Sequence, residues 1–106
     1  MMAPAPAAEK SDATRRAYRS DFDHFAAWCN GAGREPLPAT AETVAAYLAS
    51  LADGLKSSTI NRRCAAIAYA HRLEGFESPT TAAPVKAAMR RIRTRELWRG
   101  MRVPAH

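Results

Sequence analysis

Four stretches of the chain repeat their apolar residues at the spacing of one helical face. In the first, Tyr18, Phe22, Phe25 and Cys29 follow at steps of three or four, which predicts an amphipathic helix over about 14–30. Thr14 can cap its start, and Gly31 or Gly33 ends it. The second, near 41–53, carries Val44, Tyr47, Leu48 and Leu51 behind a Thr40 cap, with Glu42 at the positive end of the helix. Gly54 closes it, and Leu55 can cover the last turn in a Schellman-type stop. The third begins at Ser57 or Ser58 and stops at Gly75. The fourth follows "ESPTTAAP", with Pro84 in its first turn and Val85, Ala88, Met89 and Ile92 facing inward. No segment alternates with period two and no internal repeat is visible. The predicted fold class is therefore all-α, a compact bundle of four short helices.

The helical wheel of the third stretch separates two faces. Ile60, Cys64, Ile67 and His71 share a core sector, where His71 reads as a hydrogen-bonded interior histidine. Ser58, Arg62, Ala65 and Tyr69 lie opposite, with Thr59 and Arg63 on a flank and Lys56 just before the helix. Small residues at 65 and 66 allow close approach to a groove wall, and a B-DNA major groove admits one helix. The first helix has the same design. Its outer face opens with Arg15, Arg16, Arg19 and Ser20 before turning to Asp23, His24 and Ala27. Asp21 and Asp23 would repel phosphate, so only the first turns should touch DNA. Two helix mouths rich in donors, aided by their own amides and dipoles, form a fork. A merely solvated face with a few arginines is the plainer alternative.

Composition changes this picture in one direction. The chain has 106 residues, a formal charge of +6 and a pI near 10, which favours a polyanionic partner, nucleic acid before membrane. The charge is segregated. Residues 86–102 hold Lys86, Arg90, Arg91, Arg93, Arg95, Arg99 and Arg102 against Glu96, whereas 41–53 hold no Lys or Arg. No apolar run reaches the roughly 20 residues of a membrane span. The opening "MMAPAPAAEK" is not a secretory signal, and residues 1–12 read as a flexible Ala/Pro-rich lead-in of a cytoplasmic protein. Cys29 and Cys64 fall on apolar faces and read as buried thiols, with a single disulfide as the alternative. No Cys/His spacing suggests zinc, and no cofactor is expected. After Thr94 the apolar Leu97, Trp98, Met101 and Val103 are interrupted by Glu96, Arg99, Gly100 and Pro104, which should break a clean helix. These residues either cover the end of the bundle or await a neighbour.

The segments "TRRAYRSDFDHFAAWCNGAG", "PLPATAETVAAYLASL", "GLKSSTINRRCAAIAYAHRLEGF" and "SPTTAAPVKAAMRRIRT" together resemble the N-terminal, SAM-like core-binding domain of tyrosine recombinases, the phage-integrase and Cre/Xer family. The resemblance covers about 13–95. It implies a helical domain that, with a catalytic domain, forms a C-shaped clamp on double-stranded DNA, one recombination half-site at a time. Its DNA-contact positions match Thr14, Arg16 and Ala17 on the first helix, and Ser58, Thr59, Arg62 and Arg63 on the third. Ala17 departs from the longer contact side chain of the family. The extra leading helix of some members is not expected in residues 1–12.

Cleavage in that family needs a tyrosine nucleophile among Arg, Lys and His groups around the scissile phosphate. The family's His-x-x-Arg motif is absent here, so the chain is expected to bind and not to cut, with 96–106 as the start of a linker to an absent catalytic domain. Leu97, Trp98 and Met101 are candidates for contact with that domain or with another protomer. A protein-interaction module and a helix-turn-helix regulator are the alternative readings.

Overall fold

A computed structural model describes residues 10–101 of the chain. Short polar side chains start the first two helices. In α1 (Asp12–Ala32) the cap is Ser11, whose Oγ accepts the Thr14 amide at 3.1 Å. Thr14, expected as the cap, lies inside the first turn because Ser11 reaches its amide first. The predicted lead-in is thus shortened by a helix beginning at Asp12, and its first nine residues lie outside the described ones. Thr40 caps α2 (Ala41–Leu51) as expected, accepting the Thr43 amide at 3.1 Å. The third helix, α3, spans Ser57–Leu73, and α4 spans Ala83–Gly100 behind a short 3-10 turn at Pro79–Thr81. Among the described residues there is no strand.

Glycines in the left-handed region end two of these helices. Gly33 and Gly75 sit at φ 69° and 80°, the left-handed region that costs glycine little. There the Arg34 amide returns to the Cys29 carbonyl and the Phe76 amide to the His71 carbonyl, each at 2.8 Å, closing Schellman stops. Gly54 does not make the predicted left-handed stop. Ala52 stays right-handed, and the Leu55 amide bonds the Leu51 carbonyl at 3.1 Å in one further loose turn. Glu96 and Arg99 do not break α4, which runs unbroken past the expected boundary at residues 95/96 to its last residue, Gly100. A single glycine costs a helix about 1 kcal/mol, and Leu97 to Arg99 are sound helix formers.

The packing pairs α1 with α3 and α2 with α4 around one core. Phe25, Val44, Tyr47, Leu48, Ile60, Ile67 and Val85 are all but inaccessible in it. Tyr47 is the hub, with ring centroids 4.9 Å from Phe25 and 5.4 Å from Trp28. Cys29 is buried and Cys64 partly so, both as free thiols, and burial pushes each thiol above its ordinary pKa.

His71 is fully buried, as its place in the apolar stripe predicted. Its Nε2 accepts the Ala39 amide at 2.9 Å, so its proton is on Nδ1, which donates to the Ile67 carbonyl at 2.8 Å. The imidazole thereby ties α3 to the loop before α2. Replacing it by phenylalanine keeps the bulk but strands the Ala39 amide. His71→Phe should lower the unfolding free energy by about 1–3 kcal/mol in urea denaturation; an unchanged midpoint would show that this bond holds nothing.

Candidate nucleic-acid interface

Contacts between α1 and α3 run in opposite directions along the two helices. Tyr18 meets Tyr69, with centroids 5.3 Å apart, while Asp21 meets Arg62 and His24 meets Arg63. The mouth of α1 therefore lies beside the C-terminal half of α3, where Arg15, Tyr18 and Arg19 line a shallow groove with Ala66, Tyr69 and Leu73. The fork expected of two neighbouring mouths is not formed. The antiparallel pairing puts the two N-termini at opposite ends.

The residues expected to contact DNA divide into three groups. Arg16, Arg19, Lys56 and Ser58 are exposed, while Thr14 and Thr59 are half-buried. Arg15 bonds Asp12 and donates to the Lys10 carbonyl at 2.6 Å, and Arg19 lies 3.5 Å from Asp23. Arg63 and Tyr69, by contrast, are turned inward. Arg63 Nη1 donates to His24 Nδ1 at 2.8 Å and to the Tyr47 hydroxyl at 3.2 Å. A guanidinium only donates, so Nδ1 of His24 is the acceptor. Burial pushes the Tyr47 phenol above its ordinary pKa, against the opposing pull of Arg63.

Tyr69, predicted outward, is 6% exposed with its hydroxyl unpaired. Ala66 is buried as well. The wheel placed one core sector on α3, but α1 covers a second flank, and the buried arc takes in Ala66 and Tyr69. The outward strip is instead Ser58, Asn61 and Arg72, with Ala65 and Ala68 between them. Small residues still line it, at 65 and 68 in place of 65 and 66.

Arg62 occupies the third position. Its Nε and Nη2 donate to Asp21 Oδ2 and Oδ1 at 2.8 and 3.1 Å, and those two bonds raise its pKa further. Asp21 is 5% exposed, and Arg63 Nε lies 3.9 Å from the same carboxylate. The acid expected to repel phosphate is thus enclosed and neutralised. A signal for this stood in the sequence, because Asp21 falls three residues after Tyr18 and four before Phe25, on the buried stripe. Arg62 keeps its opposite edge, Nη1 and one proton of Nη2, with 54% of the side chain exposed. A guanidinium gripped on one edge by a fixed carboxylate offers the other edge in a set orientation.

The mouth of α3 was expected to offer free amides to phosphate. The first of these, the Ser57 amide, is taken by α4 instead. Glu96 accepts the Ser57 amide at 2.9 Å with one oxygen and the Ser57 hydroxyl with the other. This carboxylate caps the helix from a neighbouring element, where Lys56 at the cap position supplies no side-chain bond. Beyond Glu96, the residues Leu97, Trp98 and Met101 are 64%, 67% and 58% exposed, so they do not cover the bundle. Among the described residues no group of His, Cys, Asp and Glu could hold a metal ion, and no helix is long and apolar enough to cross a membrane.

Two comparisons bear on this arrangement. Residues 7–74 match the family described as phage integrase, N-terminal SAM-like domain. The chain is also 40% identical over 87 residues to an integrase/recombinase xerD homolog of Selenomonas ruminantium, covering 79% of this chain and 26% of that relative. The chain thus spans about a quarter of the length of the relative it matches.

The cap across helices carries a pH signature. The Ser57 hydroxyl, then its amide, holds the Glu96 carboxyl below its ordinary pKa against a smaller opposing effect of desolvation. A depressed carboxyl stabilises the fold above its unfolded pKa, about 4.3, and that contribution fades as the pH falls through the lower folded value. Wild type should therefore resist urea better than Glu96→Gln at pH 7, with the gap closing as the pH drops below about 4.3. A gap that stays constant or widens on acidification would mean that Glu96 does not cap α3.

Proposed function

Because the chain belongs to the phage-integrase, or tyrosine-recombinase, family as its N-terminal SAM-like domain, we propose that it is the DNA-binding module of a site-specific recombinase. It grips one half-site through α1 and α3 and does not cut by itself. Residues 13–95 are the gripping unit. The last turn of α4 and the residues after it, within 96–106, lead toward the catalytic domain of the parent protein, which works in the cytoplasm.

The observation that carries this reading is Arg62. Its inner edge is held by Asp21 and its outer edge is open beside the outward strip of α3. Two parallel N–H groups in a fixed plane match the O6 and N7 acceptors of guanine, or two phosphate oxygens. Ser58 and Asn61 supply neutral donors on the same strip, and Ala65 and Ala68 let the helix backbone come close. Thr14, Arg16, Arg19, Lys56 and Thr59 serve as backbone contacts that orient the duplex. Arg63 and Tyr69 act from within, by fixing the α1–α3 junction. A second role is favoured by Leu97, Trp98 and Met101, whose exposure suits docking onto the catalytic domain or another protomer.

Binding of a labelled duplex should weaken steeply between 50 and 200 mM salt, approximately the range over which phosphate contacts are lost. Arg62→Ala should lower affinity roughly tenfold to a hundredfold on preferred sequences and less on others, as loss of a bidentate base contact does. Asp21→Asn/Arg62→Ala controls for the carboxylate left bare. An equal loss on every sequence would make Arg62 a phosphate anchor, and no binding even in dilute buffer would end the DNA-binding reading.

A further inference from the structure

We propose that α4 carries a second contact surface for the DNA backbone, a ridge of Lys86, Arg90 and Arg93 facing α3 across an open groove. The proposal rests on the DNA-binding reading and adds an element to it, since neither the wheel of α3 nor the mouth of α1 includes these residues. The three side chains stand at i, i+4 and i+7, so they share one helical face over about 10 Å of axis. Together with Asn61, Cys64 and Thr80 they line a groove of about 340 Å³.

Partnering separates these cations from Arg95 and Arg99 farther along α4, and Arg91, which is unpaired as well among the described residues, stands outside the groove. Arg62 is committed to Asp21, Arg15 to Asp12, and both Arg95 and Arg99 lie against Asp53. Lys86, Arg90 and Arg93 are exposed and, among the described residues, have no acidic partner. Glu96, the nearest acid along the helix, spends both oxygens on Ser57. Three like charges on one face repel one another, and among the described residues no acid pairs with them to offset that repulsion. A polyanion does.

The shape of the groove selects the occupant. The groove is too open to enclose a small anion, and its Cys64 wall brings no charge. A row of separate cations along a helix matches a row of phosphates better than it matches a single ion. Asn61 belongs both to this groove and to the outward strip of α3. A strand passing along the ridge therefore stays continuous with the face that Arg62 opens onto. In this arrangement α3 reads the groove while α4 holds the backbone beside it.

Phosphate contacts are counted by salt dependence. The slope of log affinity against log salt changes by about 0.9 for each phosphate neutralised. The variant Lys86→Gln/Arg90→Gln/Arg93→Gln, titrated with a random-sequence duplex, should lose about 2–3 units of that slope. It should bind at least tenfold more weakly in dilute salt, with an unchanged helical signal and melting midpoint. A control of equal charge loss on the same helix is Arg91→Gln/Arg95→Gln/Arg99→Gln, expected to change the slope by less than about one unit. If the first triple binds as wild type while Arg62→Ala still weakens binding, the α4 surface is overturned and the α3 reading stands. Equal losses from both triples would reveal diffuse attraction and also overturn the assignment. Absence of duplex binding by wild type would remove both readings together.

Discussion

Asp21 is the acid most thoroughly enclosed among the described residues, and the surface above it takes its form from the way that charge is compensated. A carboxylate taken out of water needs a partner with good geometry, or it destabilises the state that buries it. Arg62 supplies that partner with two hydrogen bonds from α3, and Arg63 adds a more distant positive charge. The pair joins the two helices at mid-length while Tyr18 and Tyr69 join them toward one end. Because the linkage uses only one edge of the guanidinium, the other edge keeps its donors free on the surface.

The electrostatics of α3 follow from its neighbours more than from its own dipole. The first amide at its N-terminus, that of Ser57, is taken by Glu96, whose negative charge opposes the dipole there. The positive side chains exposed along the helix are Lys56 at its start, Arg62 on the α1 side and Arg72 in its last turn. The arginines beyond the ridge of α4 are drawn to Asp53 at the end of α2. The fold thus neutralises some of its cations and leaves others bare. A formal charge of +6 gives no hint of that division.

Periodicity made the helices legible. Phe25, Cys29, Val44, Tyr47, Leu48, Ile60, Ile67, Val85 and Ile92 are buried where the spacing put them, and His71 is paired inside. What a wheel cannot display is how many neighbours a helix has. Two flanks of α3 are covered, so Tyr69 went inward and the small residues that remain outside are Ala65 and Ala68. The direction of packing was equally invisible, and two cation-rich mouths looked like a fork until the antiparallel contacts separated them. Asp21 was misjudged because its charge outweighed its position on the Tyr18–Phe25 stripe. Glu96 was misjudged because a cap 39 residues away leaves no local motif.

The central claim is that Asp21 and Arg62 act as one unit, and a double-mutant cycle tests it most directly. Asp21→Asn, Arg62→Gln and the double variant would be unfolded in urea beside wild type. If the pair is a unit, each single change destabilises the domain and the double change costs clearly less than the sum of the two. Losses that simply add would show that the two residues are neighbours without coupling, and the account of how α3 presents its open edge would fail with them.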